Sequence, residues 1–127
     1  MTRLNEHVRE LVDRPNFAHL ATLLPDGSPH VTPMWIGTEG DLLTMNTAVG
    51  RVKYHNIRRD PRVALSLHDQ SNPYTRVIVR GRVIEVTEDG ALAHIHELSQ
   101  KYLGQDFSLP PGQTRVVLRI EPLRVIG

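Results

Sequence analysis

Leu4, Val8, Leu11 and Val12 stand at i, i+4, i+7 and i+8 among charged neighbours. This spacing follows one face of a helix, so a short amphipathic helix is predicted that ends near Arg14-Pro15. From Phe17 to Leu24 the pattern changes to an apolar run without charge. Pro25-Asp26-Gly27-Ser28 then supplies turn chemistry, and Pro29 to Ile36 resumes a β-rich run, so the segment reads as a hairpin. Gly37 to Asp41 reads as a second turn, Leu42 to Thr47 as a third strand, and Val63 to His68, after the breaker Asp60-Pro61, as a fourth. Turns of a few residues cannot carry a parallel crossover, which makes this meander antiparallel.

The longest strand signal runs from Thr75 to Thr87, where Val77, Val79, Gly81 and Val83 alternate with Ile78, Arg80, Arg82 and Ile84. Gly81 in its middle marks a bend or a close backbone approach. Asp89 to Leu103 predicts a helix with Leu92, Ile95, His96, Leu98, Tyr102 and Leu103 toward one face, stopped by Gly104. After a loop containing Pro110-Pro111-Gly112, Thr114 to Ile120 alternates as the final strand, and Pro122 to Gly127 closes the chain. Strands come in runs and not in βαβ units. The expectation is therefore an α+β fold built on an antiparallel barrel of about six strands with two or three short helices, one domain over residues 1–127.

Composition narrows the chemistry. The 127 residues contain no cysteine, which removes disulfides, thiolate nucleophiles, Cys-ligated zinc and all-Cys iron–sulfur clusters, and is compatible with a cytoplasmic setting. The first residues carry alternating charges in place of a signal peptide's apolar stretch, and no apolar run is long enough to cross a membrane. Fifteen Lys and Arg against 14 Asp and Glu leave a net charge of +1, with no global pull toward nucleic acid or anionic lipid.

That near-neutrality conceals a local cluster. Arg51, Lys53, Arg58, Arg59 and Arg62 are opposed in their window only by Asp60. Arg51 and Lys53 follow the Gly-containing turn after Asn46-Thr47 and open a predicted short helix. Cations there oppose the helix dipole at a cost of a few tenths of a kcal/mol unless an anion is present, and backbone N–H groups at a helix start favour that same anion. A phosphate would be well held between them. Arg58 and Arg59, at the helix end, complement the dipole and need no ligand to explain them.

The strand Ser28-Pro29-His30-Val31, the run Arg51-Val52-Lys53…Asn56-Ile57-Arg58-Arg59-Asp60-Pro61-Arg62-Val63-Ala64-Leu65 and Pro73-Tyr74 leading into Val79-Arg80-Gly81-Arg82-Val83 together resemble the pyridoxamine-phosphate-oxidase-like split β-barrel superfamily. More narrowly, the chain is similar to the actinobacterial flavin/deazaflavin oxidoreductases that use coenzyme F420. The resemblance implies a cytoplasmic homodimer with two cofactor sites at the subunit interface. It assigns the cofactor phosphate to Arg51, Val52 and Lys53, with Asn46 and Thr47 nearby. The strand His30, Val31, Thr32, Pro33, Met34 would lie along the ring system, and a loop, Asn72-Pro73-Tyr74, would come from the other subunit. Arg58 or Arg62 would extend a basic groove toward the acidic tail of F420.

The chemistry implied is hydride transfer from reduced F420 to a small unsaturated organic acceptor, with FMN as the alternative cofactor and a non-catalytic F420- or flavin-binding protein as the alternative role. Such a reaction needs binding, orientation and water exclusion but no catalytic triad, and no side chain is assigned as catalytic. Met34 and Trp35 are candidates for the substrate side of the ring. Seven histidines raise the question of a metal, but His94 and His96 lie two apart on a predicted helix and point about 200° away from one another, the wrong spacing for a shared ion. No nucleic-acid motif accompanies the basic window.

Overall fold

In the computed structural model, which describes residues 2–127, three helices and seven strands follow the order α1 (Glu6–Asp13), β1 (Ala18–Leu23), β2 (Pro29–Met34), β3 (Gly37–Glu39), β4 (Leu42–Ala48), α2 (Val52–Arg59), β5 (Arg62–Asp69), β6 (Asn72–Thr87), α3 (Ala91–Leu103) and β7 (Arg115–Ile126). All strands join one antiparallel sheet in the order β2-β1-β5-β6-β7-β4-β3. Its two edges, β2 and β3, do not pair with each other, so the barrel is split. The α+β class and antiparallel sheet agree with the sequence expectation.

Three elements differ from it, each for a physical reason. The segment expected to be a turn, Gly37 to Asp41, contains the three-residue strand β3, too short to show any alternation. The third expected strand, β4, does not extend the first hairpin but crosses to pair with β7 and β3. The final strand does not stop at Ile120 but runs through Pro122 to Ile126. Pro122 is tolerated because β4 accompanies only residues 115–120 of β7, so the proline lies in a half with β6 as its one neighbour.

The inward side chains Leu20, Leu43, Met45, Leu65, Val79, Leu118 and Ile120 form the main core, closed at one end by Val8, Leu11 and Val12 of α1. Asn5 caps that helix by accepting from the Val8 amide at 2.9 Å. Strand β4 is buried on both faces. Leu43 and Met45 enter the main core, whereas Thr44 and Asn46 face the other way and are also buried. Helix α3 packs on β4 and β7, and its Ala91, Ile95 and Leu98, with Val117, are buried outside the main cluster. The face expected from periodicity is thus rotated: Leu92 and Leu103 are exposed.

Gly81 stands opposite Pro122 at a register shift in the β6–β7 ladder. A Cβ there would lie 2.5 Å from the Glu121 carbonyl oxygen, a backbone atom that cannot move aside alone. Gly81→Ala is therefore expected to destabilise the fold by about 1–3 kcal/mol, the usual scale of overpacking, as a lower urea midpoint with unchanged slope.

Candidate anion and ring cleft

The turn after β4 builds the site. Gly50 adopts φ +95, the left-handed region, and the Arg51 amide donates to the Ala48 carbonyl at 3.3 Å. The Val49 amide donates to the Thr114 carbonyl at 2.9 Å, tying this turn to the start of β7. Helix α2 then begins with Arg51 as its cap residue, no side-chain cap and no acid in its first turn. A cleft of about 250 Å3 opens here. Asn46, Thr47, Arg51, Lys53 and Arg115 line one part of it, and Phe17, Trp35 and Phe107 another.

Three cations and no carboxylate line this cleft. Among the described residues, the ion pairs engage Arg9, Arg14, Arg62, Arg82 and Arg119, and none engages Arg51, Lys53 or Arg115. Burial pushes the Lys53 ammonium below the usual lysine value, and the neighbouring Arg51 and Arg115 push it further. Burial likewise lowers Arg115, with Arg51 adding to the effect. Positive groups held together without a counter-charge favour any anion that enters.

Arg115 is held in place from three sides. Its Nε donates to Asn46 Oδ1 at 2.8 Å, one Nη donates to Gln113 Oε1 at 2.9 Å, and its guanidinium lies 5.0 Å from the centre of the Phe107 ring. The Phe107 amide in turn donates to His96 Nδ1 at 3.0 Å, which fastens the loop to α3. The aromatic part is equally ordered. Trp35 stacks on Tyr102 with ring centres 5.3 Å apart and planes 12° from parallel, and meets Phe107 edge-on at 6.4 Å. Burial pushes the Tyr102 phenol up to about 12. Its hydroxyl donates to the Asn16 carbonyl at 2.6 Å and accepts from the Ile36 amide at 3.1 Å.

Of the residues singled out from sequence, Pro33, Met34, Trp35, Asn46, Thr47, Arg51 and Lys53 line this one cleft. Pleating divides the rest of β2: His30, Thr32 and Met34 stand opposite Thr22, Leu20 and Ala18 on the inward face, whereas Val31 and Pro33 point outward. His30 Nδ1 and Thr32 Oγ1 are buried without a hydrogen-bond partner. Val52 is half exposed and is not part of the lining. Asn72, Pro73 and Tyr74 do not form a loop but open β6 beyond the Asp69–Asn72 hairpin end, and Tyr74, 84% exposed, is away from the cleft. Asn46 spends its polar atoms on protein groups, so its work is to orient Arg115.

Arg58 lies over Tyr54 and Arg62 grips Asp60 through two bonds, holding that carboxyl at about 2. Sequence reasoning missed Arg115, Phe107, Phe17, Ile95 and Leu98 as lining residues. The available signal was Val117, an apolar residue sharing the supposedly polar face with Arg115 and Arg119, which betrays a covered surface.

The sequence profile of the family described as "Pyridoxamine 5'-phosphate oxidase" matches residues 4–127. This chain belongs to the pyridoxamine 5'-phosphate oxidase family. Three solved structures are similar to it. One named "F420 Reductase" is 34% identical, with 97% of this chain and 98% of that one covered and a TM-score of 0.85. A conserved hypothetical protein from Mycobacterium tuberculosis is 26% identical, with 98% and 84% covered and a TM-score of 0.75. General Stress Protein 26 from Bacillus anthracis, at 22% identity, with 94% and 89% covered and a TM-score of 0.72, shares the fold. No curated protein matches the chain. In this family member no helix among the described residues is long and apolar enough to cross a membrane.

Tyr102→Phe would leave the Ile36 amide and the Asn16 carbonyl without their shared partner. A loss of about 1–3 kcal/mol in urea-unfolding stability is expected, with a weakened Trp35 exciton or near-ultraviolet signal as the local reporter.

Proposed function

We propose that this chain is an oxidoreductase that binds coenzyme F420 and directs hydride from its reduced form to a small unsaturated organic acceptor. The observation that carries the reading is the uncompensated cluster Arg51, Lys53 and Arg115 beside an aromatic wall, which suits a ligand with an anionic group at one end and a flat ring at the other. Family membership and the neighbour named F420 reductase support the same class.

The residues fit such a cofactor. The three cations and the start of α2 offer charge-assisted donors to a phosphate. Trp35 and Phe107 offer flat apolar faces to a ring beside those cations, whereas His30 and Thr32, although unpartnered, face inward and do not line the cleft. When bound, the reduced deazaflavin supplies the hydride. The chain's own part is to hold and to shield. Arg51, Lys53 and Arg115 anchor the phosphate, while Trp35 and Phe107, fixed by Tyr102 and Arg115, exclude water from the ring side. Phe17 and Pro33 also line an adjoining hollow with His19, His68 and Gln70, where a small acceptor would lie.

At about 250 Å3 the cleft is smaller than the roughly 300–1,000 Å3 usual for ligand pockets, which supports a second wall from another copy of the chain. The outward Val31, 60% exposed, and Leu123, 52% exposed, supply apolar surface for that contact, and Tyr74 would enter the partner's cleft. The homodimer is the assembly in which the cofactor site is complete, and the setting is cytoplasmic.

Titration of the purified protein tests the reading. F420 is expected to bind at micromolar levels with quenching of its fluorescence, and FMN much more weakly. Tight FMN binding without F420 binding would instead support the FMN-dependent alternative. Multiple turnovers of an enone with reduced F420 are expected, whereas binding without turnover over a broad acceptor panel would identify a carrier. Lys53→Ala and Arg115→Ala are each expected to weaken cofactor binding by about 1.5–3 kcal/mol, measured by calorimetry, the scale of a hydrogen bond to a charged group. An unchanged affinity would remove that residue from the phosphate site.

A further inference from the structure

Leu98 lines both the cleft and a second cavity of about 390 Å3, whose polar lining includes Thr38, Glu39, Thr44, His94, Glu97 and Lys101. Between the two stands Asn46, and its carboxamide admits one orientation. Nδ2 lies 3.0 Å from the Ala91 carbonyl oxygen and 3.1 Å from His94 Nδ1, while Oδ1 accepts from Arg115 Nε at 2.8 Å. Turned over, the amide would set its oxygen against the Ala91 carbonyl and its NH2 against the guanidinium. His94 Nδ1 must therefore accept, which puts the ring's proton on Nε2, a buried atom with no partner.

A proton added to Nδ1 would bring two donors face to face. The His94–Asn46 contact would break, leaving the Ala91 carbonyl as the carboxamide's single hold on α3, so that Oδ1 is no longer fixed in place and Arg115 loses the alignment of its acceptor. We propose that His94 is a positioning residue for the cleft, holding Arg115 in its anion-binding pose through Asn46 while the ring is neutral and releasing it when the ring is protonated.

The groups facing the imidazole are Glu97 and Lys101 from α3, Glu39 from β3 and Arg119 from β7, with Asp13 of α1 at the cavity and Arg115 beyond Asn46. Burial is the largest influence on the ring and lowers its proton affinity below the usual histidine value. The neutral form thus prevails at neutral pH. When the ring does charge, Glu97, Glu39, Lys101 and Arg119 face the new cation, and the proposed effect on the cleft is the loss of Arg115's alignment. Because the ring's affinity is lowered in the folded state, its contribution to stability is complete above its unfolded value near 6.5 and falls away as pH drops through the folded value.

This inference rests on the reading of the cleft as an anion site, and the experiment separates the two. Sulfate is the probe, a dianion at every pH used, and Trp35, the single tryptophan, reports its binding from within the cleft. On lowering pH from about 7.5 through the titration of the His94 ring, followed by its own nitrogen-15 signals, sulfate affinity of the full chain is expected to fall by up to about 3- to 10-fold, the worth of one hydrogen bond. His94→Asn places a non-titrating acceptor near the position of Nδ1 and should bring that ratio close to 1. At neutral pH His94→Leu should bind sulfate several-fold more weakly, with His94→Asn recovering the difference. A His94→Asn protein that keeps the parent's pH ratio, or a His94→Leu protein that binds like the parent, overturns the proposal. If neither Lys53→Ala nor Arg115→Gln changes sulfate affinity at any pH, the anion site itself falls. Nitrogen-15 spectra of the unsubstituted protein provide a readout free of folding effects: the Arg115 Nε–H signal should titrate together with the His94 ring, and an Arg115 signal that stays fixed while the ring titrates contradicts the proposal.

Discussion

Strand β4 is covered on both faces, and the shape of the cleft follows from that constraint. Toward the core it buries Leu43 and Met45 completely, contacts worth about 1.5–3 kcal/mol each. Toward α3 it buries Thr44 and Asn46, polar groups that must find partners there. Asn46 finds three partners in two elements: the Ala91 carbonyl and His94 of α3 and Arg115 at the start of β7. One buried carboxamide thus fixes a helix, a strand end and a cation relative to the turn that carries Arg51 and Lys53.

Arg115 is consequently fixed among the cleft's charges. Arg51, Lys53 and Arg115 repel one another, and burial makes each of the last two harder to charge, yet no acid relieves them. A protein selected only for stability would gain from a glutamate here. Arg115 is nevertheless held in this arrangement by Gln113 and Phe107, and the turn before Arg51 by the Val49–Thr114 bond, which is the feature the proposed anion site builds on. The aromatic part has the opposite character, since Trp35, Tyr102 and Phe107 satisfy one another with or without a ligand.

What the sequence makes legible follows the range of the forces involved. Helix α1 and the long strand β6 announce themselves through local periodicity, the first hairpin through its uncharged runs and turn residues, and Gly81 through its isolation in a strand. Arg51 and Lys53 are visible because their anomaly is also local: cations at a helix start. Arg115 is not, because its partner Asn46 lies 69 residues away and alternation alone presents it as a surface arginine. The extent of β7 past Pro122 was hidden for a similar reason. Only the sheet order shows that this half of the strand has one neighbour, and only then is a proline without an N–H harmless. Strand β3 was too short for any pattern.

In the proposed function an anionic cofactor is held by Arg51 and Arg115 together with Lys53, and not by the neighbouring arginines that the protein already uses. Side-chain nitrogen-15 spectra of the arginine-labelled protein, recorded while F420 is added, test this directly. Saturable shifts of the Arg51 and Arg115 Nε–H signals are expected, with Arg62, paired to Asp60, left in place. Shifts confined to Arg58, Arg59 and Arg62, or none at saturating cofactor, would contradict this proposal.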